Sequence, residues 1–183
     1  NIKNALAAIA CSMDLDININ DIKIGINNYS GVKRRFEQVF KSSKRNISII
    51  DDYAHHPTEI KATIDAAKNL CYKRVIVIFQ PHLFSRTKDF ANDFSVSLLG
   101  ADKIIITDIY GAREDPIDGV TSQIILDKLK ILGHKDAVLI NEYNDIPIIV
   151  GKRIVNDDLI ITMGAGTINQ INSKIANVVG IGD

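Results

Sequence analysis

Apolar and polar positions divide this chain into short β-branched runs separated by longer stretches with helical spacing. Arg74 to Phe79, Lys103 to Thr107, Ala137 to Ile140 and Leu159 to Met163 are close to continuous valine, isoleucine and leucine. That is the pattern of strands covered on both faces in a parallel sheet, not the alternation of a half-exposed strand. Thr58 to Leu70, Thr87 to Leu99, Ser122 to Leu132, Asp145 to Val155 and Asn169 to Asn177 repeat apolar residues at helical spacing, with Pro147 near the start of its segment. Arg35 to Phe40 and Ile47 to Asp51 read as two further strands joined by the polar turn Lys41 to Asn46. Regular alternation of strand and helix predicts a Rossmann-like α/β domain, a mostly parallel sheet with helices on both faces.

The first thirty residues break this rhythm. Asn4 to Cys11 predicts a buried helix, Asp14 to Asn20 a polar turn, and Ile22 to Tyr29 a shorter amphipathic turn of helix; Ser30-Gly31 then marks a boundary. The expected division is 1–30 as the helical tail of a preceding domain and 31–183 as the α/β domain. Asn1 to Ala10 already reads as helix interior, with no initiating Met and no cap before it. The expectation is a piece of a longer protein.

Composition narrows the function classes. Among 183 residues, 22 basic side chains balance 22 acidic ones, so no overall field favours nucleic acid or an anionic membrane. No apolar run approaches the roughly 20 residues of a membrane span, and no signal peptide opens the chain, which predicts a cytoplasmic protein. Cys11 and Cys71 lack the spacing of a metal or redox pair and are expected to be buried thiols. His134 stands alone and is expected at the surface.

Polar residues follow the strands: Asp51-Asp52, Gln80-Pro81-His82, Asp108, Asn141-Glu142 and Gly164-Ala165-Gly166. In an open α/β sheet, the loops beyond the carboxyl ends of the strands form the ligand crevice. Asp51 to Glu59 places two carboxylates, Tyr53 and the adjacent His55 and His56 in a strand-to-helix loop, able to bind hydroxyls, carboxylates or phosphate. A solvated helix start and a metal site are the alternatives, although no further Cys or His stands at zinc spacing. Phe79 to Thr87 brings His82 and Arg86 to the start of a helix, where backbone N–H groups favour anions; the alternative for Arg86 is an ion pair with Asp89 or Asp93 on the helix face. Lys33-Arg34-Arg35 at the domain boundary could reach a phosphate or form a solvated edge. Gly164-Ala165-Gly166-Thr167 lacks the third glycine of a dinucleotide fingerprint and reads as a tight turn.

Taken in order and at these separations, Asn1 to Ala8, Arg34 to Glu37, Asp51 to Glu59 and Phe79 to Thr87 resemble the Mur ligase family. The double histidine with Gln80-Pro81-His82 and Ser85-Arg86-Thr87 is similar to its L-alanine-adding branch in particular; a peptide-recycling branch shares part of the pattern, and a non-catalytic nucleotide-binding module is the alternative from another class. The resemblance implies an ATP-dependent ligase that joins L-alanine to UDP-N-acetylmuramate through an acyl phosphate. It further implies that Asn1, Asn4, Arg35 and Asp52 lie on the ATP side, with Arg35 at the phosphates and Asp52 at the ribose. Tyr53, His55 and Arg86 are implied around the amino acid, with His56 and His82 as further candidates and Leu83 standing where some relatives carry arginine. By the same resemblance, residues 1–30 are the tail of a central ATPase domain. The phosphate loop, the Mg2+ ligands and the UDP-sugar domain are then expected upstream, and the chain alone is expected to be inactive.

Overall fold

The computed structural model describes residues 2–180, and the chain divides into two compact units, Asn1–Val32 and Lys33–Asp183. The first is a helical hairpin of α1 (Ile2–Asp14) and α2 (Ile19–Asn28). Asn18 caps α2 by accepting the N–H of Asn20 at 2.8 Å, and α2 begins before the expected Ile22. No residue of α1 is buried, and in α2 only Ile22 is.

The second unit is a six-stranded sheet. Its strands are β1 (Glu37–Ser42), β2 (Ile47–Asp52), β3 (Arg74–Phe79), β4 (Lys103–Ile106), β5 (Ala137–Leu139) and β6 (Asp158–Met163). They lie in the order β1-β2-β6-β3-β4-β5, with only β1 antiparallel to its neighbour. The helices are α3 (Pro57–Lys68), α4 (Phe84–Leu98), α5 (Gln123–Ile131), α6 (Asp145–Arg153) and α7 (Asn172–Gly180), with a 3-10 turn at Ile168–Ile171 before the last.

Successive side chains of a strand point to opposite faces, so the continuous apolar runs fill two layers. On one face, Val75, Val77, Phe79, Leu159, Ile161 and Met163 pack with Ile60, Ile64, Phe94, Leu98, Ile125 and Leu129 from α3, α4 and α5. On the other, Ile47, Ile49, Ile76, Ile78 and Ile160 meet Ile146 and Val150 of α6 and Ile175 and Val179 of α7. The crossovers from β2 through β5 run one way across the sheet, and the connection from β5 to β6 runs back. A constant right-handed crossover therefore puts α3, α4 and α5 on one face and α6 on the other.

Several boundaries differ from the expected ones. β1 starts at Glu37 rather than Arg35, because Arg34 and Phe36 take left-handed φ of 58° and 53° and cannot be extended there. α4 starts at Phe84, three residues early, which places Ser85 and Arg86 in its first turn. Both cysteines are exposed rather than buried: Cys11 lies on a helix that buries nothing, and Cys71 lies in the turn after α3. His134 is half-buried, its ring within 3.0 Å of the Ala101 carbonyl, and so is tied down rather than free at the surface.

Candidate functional site

The acidic pair sits inside the end of β2 instead of in an exposed loop, and both carboxylates are engaged. Asp52 is 7% exposed; one of its oxygens accepts the N–H of Phe36 and the other that of Ala54, each at 2.8 Å. Asp51, 2% exposed, accepts from Arg34 Nε at 3.1 Å and from the Thr162 hydroxyl at 3.1 Å. Burial raises the pKa of both. For Asp51 this outweighs the Arg34 charge and the Thr162 hydroxyl, and for Asp52 the two backbone N–H groups and the charge of Arg35. Arg35 itself is exposed and makes no ion pair among the described residues.

Beyond β2, the histidines divide their roles. His56 is the N-cap of α3 in a reciprocal capping box with Glu59, its ring nitrogen 2.8 Å from the Thr58 hydroxyl. His55 touches Glu59 as well, its backbone N–H 3.0 Å and its Nδ1 3.5 Å from the carboxylate, but its ring also reaches the loop after β3. Its Nδ1 lies 2.9 Å from the Tyr53 carbonyl, and its ring meets Tyr53 edge-on at 5.4 Å and His82 at 5.8 Å.

The loops after β2 and β3 thus come together, although their strands are not neighbours: β6 lies between them. Closure over its end is possible because the turn that follows is Gly164-Ala165-Gly166. A β-carbon on Gly166 would lie 2.5 Å from Gln80 Oε1 and 2.6 Å from the Tyr110 ring, and one on Gly164 would lie 2.8 Å from the Gln80 carbonyl. Gln80 secures this turn by accepting the N–H of Ile168 at 3.0 Å and donating to the Tyr143 hydroxyl.

On the β3 side, Leu83 takes φ 71° and ψ 136°, a sparsely populated conformation costing a non-glycine residue about 1–3 kcal/mol. The same corner turns Arg86 into the site, where its NH1 is buried without a hydrogen-bond partner. The alternative pairing with Asp89 or Asp93 is not formed. His82 stacks on Tyr110 at 5.7 Å, and its Nδ1 is likewise buried and unpartnered. Burial, then the charges of Arg86 and His55, lower the pKa of His82, which favours the neutral imidazole. A guanidinium donor and an imidazole nitrogen, both desolvated and both unsatisfied, are costly unless a ligand supplies what they lack.

The α4 N-terminus is not itself the vacant anion site that the sequence suggested. The carboxylate of Glu114, from the loop between β4 and α5, accepts from the Ser85 N–H at 2.9 Å and the Ser85 hydroxyl at 2.5 Å. These hydrogen bonds keep Glu114 ionised below the usual glutamate range. Among the described residues no group of three His, Cys, Asp or Glu side chains is arranged to hold a metal ion.

Residues 34–166 match the family of the Mur ligase, glutamate ligase domain. The chain belongs to the Mur ligase family. Among curated relatives, UDP-N-acetylmuramate–L-alanine ligase from Lachnospira eligens is 43% identical over 175 residues, covering 96% of this chain and 38% of the relative. The enzyme of that name from Rickettsia massiliae is 46% identical over 179 residues, covering 96% of this chain and 36% of the relative. The chain therefore spans little more than a third of the length of these relatives. A crystal structure of UDP-N-acetylmuramate-alanine ligase from Thermotoga maritima superimposes with a TM-score of 0.83 at 28% identity, covering 100% of this chain and 38% of that one.

Set in a Mur ligase domain, the predicted residues sort into three groups. Tyr53, His55, His82 and Arg86 lie around the ends of β2 and β3; Asp52 and Arg35 lie on the β1 side of the same strand ends; His56 caps a helix. Asn4 is an exposed residue of α1 that lines an apolar hollow of about 390 Å³ within the helical hairpin, and Asn1 lies outside the described residues. Sequence reasoning missed Glu114 and Tyr110, and in the run Lys33-Arg34-Arg35 it did not separate Arg34, which turns inward. The stretch from Thr107 to Thr121 was the available signal, since a loop of that length inside a compact domain is usually functional.

Proposed function

We propose that this chain is the amino-acid-binding side of an ATP-dependent ligase that joins L-alanine to UDP-N-acetylmuramate. The observation that carries this reading is the pair of buried, unpartnered atoms, Arg86 NH1 and His82 Nδ1. An α-amino acid is a ligand that satisfies both: its carboxylate accepts from the guanidinium and its amine donates to the neutral imidazole. Tyr53 and His55 border the space beside them. The names of the relatives support alanine as the amino acid.

In the reaction, ATP transfers its γ-phosphoryl group to the muramate carboxylate and ADP leaves. The alanine amine attacks the acyl carbon of the acyl phosphate, loses a proton, and expels phosphate as the amide forms. Arg86 orients the nucleophile. Arg35, exposed beside Asp52, approaches the nucleotide phosphates; Asp52, whose carboxylate already accepts from Phe36, Ala54 and Thr63, offers its remaining lone pair to a ribose hydroxyl, and Asn1 and Asn4 belong to the nucleotide side. Mg2+ accompanies ATP; since this chain spans little more than a third of its relatives' length, the Mg2+ ligands and the UDP-sugar site are assigned to other domains of a longer, cytoplasmic protein. Residues 1–30 are the end of the central, ATP-binding one. No helix among the described residues is long and apolar enough to cross a membrane.

The test is steady-state kinetics of Arg86→Lys in a protein of the relatives' length that carries this chain. Losing one arm of a bidentate, charge-assisted contact costs roughly 1.5–3 kcal/mol, about ten- to a hundredfold in affinity. The KM for alanine should rise by that factor, with those for ATP and the UDP-sugar unchanged. A rise confined to the UDP-sugar would move Arg86 to the muramate carboxylate, and no change in any constant would remove it from the site.

A further inference from the structure

The basic run at the start of the second unit is one patch in sequence and two opposite environments in space. The left-handed φ of Arg34 and Phe36, 58° and 53°, twists the backbone so that Lys33 and Arg35 are exposed while Arg34 turns inward. There one guanidinium serves three segments. Nε donates to Asp51 Oδ2 at 3.1 Å, NH1 to the Gly166 carbonyl at 3.2 Å and NH2 to the Gly164 carbonyl at 2.6 Å. Its flat face lies 4.9 Å from the centre of the Tyr53 ring. The Arg34 backbone joins in, its carbonyl accepting the Tyr53 N–H at 2.7 Å and its N–H donating to Glu37 at 2.7 Å.

A pairing with Asp51 alone would account for a folding role. What it leaves unexplained is that the two terminal nitrogens go to the carbonyls of the turn that lets the β2 and β3 loops meet, while the ring beneath belongs to Tyr53. Asp51, for its part, is fixed from behind by Thr162, whose hydroxyl lies 3.0 Å from Asn172 Oδ1, so the anchor cannot drift. Lysine could keep the Asp51 pair but could not reach both carbonyls and cover the ring, because its donors radiate from a point rather than a plane.

We infer that Arg34 is a positioning residue for the site, an inner clamp that fixes Tyr53 and the Gly164-Ala165-Gly166 turn and thereby presents the adjacent Arg35 outward. The inference rests on the proposed function for its kinetic consequence only. Because one clamp holds both sides, its loss acts on amino acid and nucleotide together, whereas loss of Arg35 acts on the nucleotide alone.

Two measurements decide it. In the 183-residue chain, Arg34→Lys should speed amide hydrogen exchange at Tyr53, Gly164 and Gly166 while leaving α5 and β5 unaffected. In the longer protein, the same variant should raise the KM values for alanine and for ATP together, each on the order of tenfold. A merely structural role would lower kcat in proportion to the folded fraction with both KM values intact, and that result overturns the inference. If the wild-type protein shows no alanine-dependent phosphate release, the functional reading fails by itself; unchanged exchange at Tyr53, Gly164 and Gly166 then overturns the clamp separately. Should Arg34→Lys not fold, Asp51→Asn removes the charge that orients Arg34 while preserving shape, and the same pair of readouts applies.

Discussion

α1 and α3 are helices of nearly equal length, 13 and 12 residues, and both carry apolar residues at helical spacing. α3 buries Pro57, Ile60, Thr63, Ile64 and Ala67, whereas α1 buries nothing. Ile2 is 80% exposed and Leu6 60% exposed. The difference teaches that periodicity specifies a helix and the face it would bury, while the energy comes only from a surface that receives that face. α3 has β3, β6 and α4 to pack on, and its start is locked by the box between His56 and Glu59.

The sharpest test of this contrast is a core truncation in the second unit. Phe94, fully buried against Phe79 with ring centres 5.4 Å apart, should cost about 3–5 kcal/mol when changed to alanine, read as a shift of the urea midpoint at constant slope. An effect below 1 kcal/mol would mean that the sheet's helical face is not close-packed.

A smaller effect is expected at the cap of α3. Burial opposes ionisation of Glu59, but the N–H of His55, the His55 ring and the N–H of His56 outweigh it, so the folded pKa lies below the usual glutamate range. A depressed carboxylate contributes stability that is fully present above its unfolded pKa and is lost as pH falls through its folded one. Glu59→Ala should therefore cost about 1 kcal/mol at neutral pH and flatten the acid-side decline of the melting temperature. An unchanged pH profile would assign the cap to His56 alone.

The least effect belongs to the first unit. Leu6→Ala, on a helix without buried residues, should move the midpoint by less than about 0.5 kcal/mol. A loss of 2 kcal/mol or more would show that α1 has found a packing partner and would erase the contrast.

The strands were legible because a sheet covered twice leaves an unmistakable trace, valine and isoleucine without interruption, and β3 begins and ends where that trace does. What could not be read is what depends on distance through space. Nothing in the pattern says that β6 lies between β2 and β3, so the meeting of His55 and His82 follows from two glycines rather than from adjacent strands. Glu114 caps a helix whose N–H groups lie 29 residues earlier, a contact without local signature. Arg34 and Arg35 are indistinguishable in sequence, and only a left-handed backbone tells them apart. The candidate residues on the two loops were visible as residue types; that Asp51 and Asp52 lie buried and hydrogen-bonded at the end of β2 was not.

The central place of β6 also has a consequence in time. It is the last strand among the described residues and pairs with both β2 and β3, which have no pairing with each other. Two partial sheets with open, apolar edges must wait for it, one of β1 and β2, the other of β3, β4 and β5. Each pairing it makes closes a long stretch of chain, so the step is entropically slow and the waiting edges are exposed to other chains. During synthesis the site would be assembled in the same late event, because the turn that lets its two loops meet is attached to the strand that arrives last.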